Sequence, residues 1–121
     1  MDDTISISTE QVTEKCALVV LSGRFDAGTA NVLKDVFYDV IAGNTRHVIV
    51  DMAKVTFIDS SGLAAIVSAL KMLRRVGGSL LLADMQPQAR MVFSLTMLDQ
   101  IISIYPSRQA AIDSLKPDTT A

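Results

Sequence analysis

The chain of 121 residues is 50% hydrophobic and 5% aromatic, long enough to bury an aliphatic core and expected to form one domain, residues 1–121 with a polar tail over 116–121. Its 11 basic and 13 acidic residues leave a net charge of −2 without long runs, which argues against direct nucleic-acid binding by phosphate neutralisation. A single Cys16 and a single His47 supply neither an internal disulfide nor a zinc cluster, so no metal and no cofactor is expected.

Met1 to Glu10 carries two aspartates and lacks the basic start and apolar core of an export signal. The longest aliphatic runs, Ala17–Leu21 and Leu63–Val67, are five residues each, far below the roughly 20 that span a bilayer. A cytoplasmic protein without membrane insertion is the expectation. Thr4–Thr9 alternates apolar and polar residues and Cys16–Leu21 is an apolar run ending at Ser22-Gly23, which predicts a hairpin of two strands. Cys16 itself reads as a buried small hydrophobe. Asp26 or Thr29 is placed to cap a helix with apolar Leu33, Val36, Phe37, Val40 and Ile41 at helical spacing, stopped at Gly43-Asn44. Val48–Val50 reads as a short buried strand, after which Met52, Val55, Phe57 and Ile58 lead to Asp59-Ser60-Ser61-Gly62.

From Leu63, the residues Ile66, Val67, Leu70 and Leu73 repeat at helical spacing, Arg74 and Arg75 oppose the helix dipole in the last turn, and Gly77-Gly78 ends the helix. Ala64, Ala65, Ser68, Ala69 and Met72 make this helix small or apolar nearly all round. Cover by neighbouring helices and docking of a partner are both open readings of that composition. Ser79–Ala83 is a further buried strand, Pro87 sits near the start of a short helix with Val92 and Leu95, Ile101–Tyr105 is a last strand and Ser107–Leu115 a last helix. Met85, Met91 and Met97 read as core filler or as adaptable surface. Strand and helix alternate after the hairpin, so right-handed crossovers give an α/β fold with a mixed, mostly parallel sheet of about five strands and about four helices.

The segment Val55 to Leu63 carries the strongest signal for function. An apolar approach delivers Asp59, Ser60 and Ser61 to a helix start, where unpaired backbone N–H groups favour capping oxygens and anions. Capping alone would explain these residues. However, Asp59-Ser60-Ser61-Gly62-Leu63, preceded by Phe57-Ile58 and followed by Lys71 and Gly77-Gly78 before a strand, resembles the STAS domain family of bacterial anti-sigma factor antagonists. The likeness runs nearly end to end, through Leu21-Ser22-Gly23-Arg24-Phe25-Asp26, His47-Val48-Ile49-Val50-Asp51, and Pro87-Gln88-Ala89-Arg90 to Thr96-Met97-Leu98. Met97 stands where the family more often has Gly, so the loop before Ile101 is where a departure in shape is expected.

The resemblance implies a single STAS-like domain that is not an enzyme. It implies that the Ser directly after the Asp, here Ser60, is phosphorylated by an ATP-using serine kinase that is often the anti-sigma factor itself. The unphosphorylated form would bind that partner and free a sigma factor, and a serine phosphatase would reset the switch. The implied partner surface comprises Asp26, Asp59, Ser60, Ser61, Gly62, Ala64 and Ala65, with Ser61 either a structural cap or a secondary contact; a homodimer is left open. A STAS module of a stress-sensing complex or of a separate transporter chain is the alternative. A serine hydrolase using Ser60 with Asp59 and His47 is disfavoured by the absence of G-x-S-x-G. A phosphate would add about −1.5 to −2 charge beside Asp59, so the expected effect is repulsion at the partner surface with the fold almost unchanged.

Overall fold

Three pairs of neighbouring residues, Leu18/Val19, Ile49/Val50 and Leu81/Leu82, set the layering, because successive strand residues face opposite sides of a sheet. In the computed structural model, which describes residues 6–115, Val19, Val50 and Leu82 join one core cluster and Leu18, Ile49 and Leu81 the other. The strands are β1 (Ser6–Thr13), β2 (Cys16–Phe25), β3 (His47–Ile58), β4 (Ser79–Ala83) and β5 (Ser103–Tyr105), in the spatial order β1-β2-β3-β4-β5. β1 and β2 form the antiparallel hairpin, and β2 through β5 run parallel. The mixed, mostly parallel sheet is therefore the expected one. Thr4 and Ile5 of the predicted first strand, and the tail 116–121, lie outside the described residues.

The larger core lies under three helices, α1 (Ala30–Ala42), α2 (Ser60–Arg75) and α3 (Pro87–Leu95). Leu33 and Phe37 of α1, Ile66 and Leu73 of α2, and Phe93 of α3 are all fully buried there, with Phe25, Met52 and Ile58 from the strands. The smaller core lies under α4 (Arg108–Leu115), where Ala111 meets Cys16, Leu18 and Ile49. Cys16 is buried as expected, and that burial pushes its thiol pKa up.

Several boundaries differ from the sequence reading. The central strand covers twelve residues and not three, because β3 carries two extra residues against β2, between the pairs Val20/Asp51 and Ser22/Lys54 and between Gly23/Val55 and Arg24/Phe57. Such bulges break the apolar alternation that marks a strand in sequence. β2 likewise continues through Ser22-Gly23 to Phe25, since its far half pairs with the extended β3. Thr29 occupies the N-cap position of α1 but its side chain makes no cap hydrogen bond; its hydroxyl accepts from the Asp26 N–H at 3.0 Å and donates to the Arg24 carbonyl at 3.1 Å. At the end of α2, Gly77 has φ +75°, and the Gly77 and Gly78 N–H groups donate to the Arg74 and Leu73 carbonyls at 3.1 and 2.7 Å, closing a Schellman turn.

Candidate functional site

β2 and β3 finish side by side, with Phe25 paired to Ile58, and the chain turns directly from Ile58 into α2. Asp59 is the N-cap: its Oδ1 accepts from the Ser61 and Gly62 N–H groups at 2.9 and 3.1 Å, while its carbonyl accepts from Leu63 N–H at 2.9 Å. This fixes α2 three residues earlier than the apolar repeat indicated and takes the capping role away from Ser61. Ser60 is the first helical residue and is exposed, whereas Ser61 is half-buried. Among the described residues the Ser60 hydroxyl has no hydrogen-bond partner. The aspartate, and no seryl hydroxyl, takes the side-chain capping bonds of α2, so the Ser60 oxygen is not engaged at the helix start.

Two of the expected surface residues face inward. Gly62 is buried, and a Cβ placed on it would lie 2.4 Å from the Phe25 carbonyl oxygen and 2.8 Å from Ile58 Cγ1. Glycine is required there by the close approach of the helix start to the end of β2, so its contribution to partner contact is corrected to a packing role. Ala65 is 2% exposed because its position on α2 turns it towards the core, and it is likewise corrected from surface to interior. Ala64 is exposed. Asp26 stands beside the site at the end of β2, where its Oδ1 accepts from Gly28 N–H at 3.0 Å and its Oδ2 lies 3.6 Å from Arg24 Nε. The Arg24 guanidinium in turn covers the Phe57 ring, 4.2 Å from its centroid, a cation–π contact.

Residues that sequence reasoning missed hold this corner in place. β4 pairs with β3 only as far as Asp51, so the second half of β3 lacks a strand neighbour on that side. Side chains substitute for it. The Ile58 N–H donates to Gln88 Oε1 at 3.1 Å and Gln88 Nε2 donates back to the Ile58 carbonyl at 3.0 Å. Gln86 Nε2 donates to the Ala53 carbonyl at 2.7 Å, and the Ala53 N–H donates to Asp51 Oδ1 at 2.9 Å, satisfying the first bulge. The other oxygen of the buried Asp51 receives Arg108 Nε and Nη2 at 2.8 and 2.7 Å, tying β3 to α4. The only sequence sign of the glutamine clamp was its position around Pro87 at a helix start.

His47 begins β3 and bonds Ser79 Oγ through Nδ1 at 2.8 Å, whereas Ser60 follows the other end of that strand. Eleven strand intervals place them on the order of 35 Å apart, so no Ser60–His47 catalytic pair is assembled. Among the described residues no group of His, Cys, Asp and Glu is arranged to hold a metal ion, and no helix is long and apolar enough to cross a membrane.

Comparisons with known proteins agree with this architecture. The chain is 32% identical over 88 residues, 71% of its length and 75% of the relative's, to the anti-sigma-B factor antagonist of Listeria monocytogenes. It superposes on the crystal structure of an anti-sigma factor antagonist from Mycobacterium paratuberculosis with a TM-score of 0.86 at 25% identity, covering 97% of this chain and 98% of that one. SpoIIAA in its unphosphorylated form shares the fold at a TM-score of 0.80 and 22% identity, with 91% and 96% covered. The model of the STAS domain matches residues 8–111, and the chain therefore belongs to the STAS domain family.

Proposed function

We propose that this protein is an anti-sigma factor antagonist whose switch is the hydroxyl of Ser60. The observation that carries the reading is the division of labour at the start of α2: Asp59 caps the helix and Ser60, exposed, keeps its oxygen uncommitted. The names of the relatives support the same function. In this reading the unphosphorylated protein binds an anti-sigma factor that is also a serine kinase, releasing a sigma factor. Phosphate on Ser60 ends the complex and a serine phosphatase restores it. The contact surface comprises Ser60, Ser61 and Ala64 on α2 with Asp26 and Asp59 beside them. No catalytic step is assigned to this chain.

Incubation with the candidate kinase and ATP, followed by mass spectrometry, is expected to place phosphate on Ser60 and to find none in Ser60→Ala. In a pull-down, Ser60→Ala is expected to retain the kinase and Ser60→Asp to lose it. Phosphate on another residue, or Ser60→Asp binding as well as the parent, would overturn the reading.

A further inference from the structure

The groove between α1 and α2 holds a concentration of one charge sign that neither folding nor the Ser60 switch requires. Lys34 and Tyr38 of α1 face Ser68, Lys71, Met72 and Arg75 of α2 across a cleft of about 190 Å³. Three cations line it and no acid does, in a chain whose net charge is −2. Among the described residues none of the three is in an ion pair, and α2 contains no acidic residue from Ser60 to Arg75. The dipole of α2 accounts for a cation in its last turn, as at Arg75. It does not account for Lys34, which lies in the first half of α1, outside the last turn where a helix favours positive charge. Like charges on the two sides of a cleft repel, weakly where water reaches them, and an anion entering the cleft would relieve that repulsion.

The position of the cleft on α2 indicates what that anion belongs to. At 100° per residue, Ala64, Val67 and Lys71 follow Ser60 at intervals of four, seven and eleven, all within about 40° of its direction. Ser60, Ala64 and Lys71 are exposed and Val67 is half-exposed, so one open stripe of the helix runs from the seryl oxygen to the cationic cleft. The rise of an α-helix makes that distance about 16 Å. A standard protein interface covers about 800 Å² on each partner, a patch roughly 30 Å across, and so reaches from one to the other. Resting on the antagonist reading above, we propose that the cleft receives an acidic segment of the anti-sigma factor, with Lys34, Lys71 and Arg75 pairing its carboxylates while Ser60 lies under the same partner. Met72, partly buried against the core, and the ring of Tyr38 give the cleft an apolar side suited to the stem of a glutamate.

The test is calorimetric titration of the full chain, K34E, K71E and the double variant with the kinase that modifies Ser60, at low and high salt. These side chains are solvent-accessible, and circular dichroism is expected to show unchanged folding. Each reversal is expected to weaken binding about fivefold to tenfold and to flatten the salt dependence, with the double variant weaker than either. If both single variants bind as the parent does while Ser60→Asp does not, the cleft proposal is overturned and the Ser60 reading stands. If Ser60→Asp binds as the parent does, the Ser60 reading falls. A second arm needs no kinase: a ¹⁵N-labelled chain titrated with a helical peptide bearing Glu at i, i+4 spacing is expected to show amide shifts at Lys34, Lys71 and Arg75, and none there would overturn the proposal. Inorganic phosphate or phosphatidylserine vesicles binding through these residues, with kinase binding unaffected by K34E and K71E, would also overturn it.

Discussion

Asp59 and Ser60 are adjacent in sequence yet separated in role by a few ångströms of hydrogen-bond geometry. The aspartate is extended and accepts two backbone donors, while the serine has already entered the helix. That Ser60 was the residue of interest came from the D-S-S-G-L resemblance; that Asp59, and not Ser61, is the cap came from the structure. Gly62 shows how a small residue can be misread as surface. Gly62→Ala would drive a methyl against a backbone oxygen that cannot swing away, and urea unfolding is expected to show a loss of about 3 kcal/mol. Met97 makes the opposite case. It has φ +62°, directly after α3 and its C-cap Thr96, where glycine is the usual residue. Met97→Gly is expected to raise stability by about 0.5–1 kcal/mol, relief of the left-handed backbone outweighing the added freedom of the unfolded chain. An unchanged or lowered urea midpoint would show that the exposed Met97 side chain makes a contribution of its own.

At the scale of elements, β3 is the component that positions the site. Its first half is a regular parallel strand between β2 and β4, and Val48–Val50 was legible because both faces are buried there. Its second half overhangs β4 and depends on the start of α3, where the N-cap residue Gln86 and the helical Gln88 supply the missing ladder bonds. A substitution that removes one of these glutamines leaves backbone groups without partners. Gln88→Ala is expected to cost about 1–3 kcal/mol, and hydrogen exchange is expected to show faster opening at Ile58 and in the first turn of α2 than in β4. Equal acceleration everywhere would mean that the clamp stabilises the whole fold and not this corner.

For the whole molecule, the proposed switch would place a phosphate on Ser60 of a chain of net charge −2. It would bring that charge to roughly −4 at one point. The positive end of α2 attracts the phosphate and Asp59 repels it, each by about 1 kcal/mol, so the two nearly cancel within the molecule. The ¹⁵N–¹H spectra of the two forms are expected to differ around residues 24–26 and 57–64 only, with α2 amide exchange retained; a refolded α2 would contradict this. Composition and hydrophobic period alone determined the α/β class, the order of strands and helices, and the hairpin, since each follows from which residues must leave water. They left the bulges of β3, the glutamine clamp, the burial of Gly62 and Ala65, and the opposed cations of the α1–α2 cleft undetermined. Those depend on residues far apart in sequence being brought together, as Ile58 is bonded by Gln88 and as Lys34 and Lys71 come to line one cleft, which happens only when separate helices are laid against one sheet.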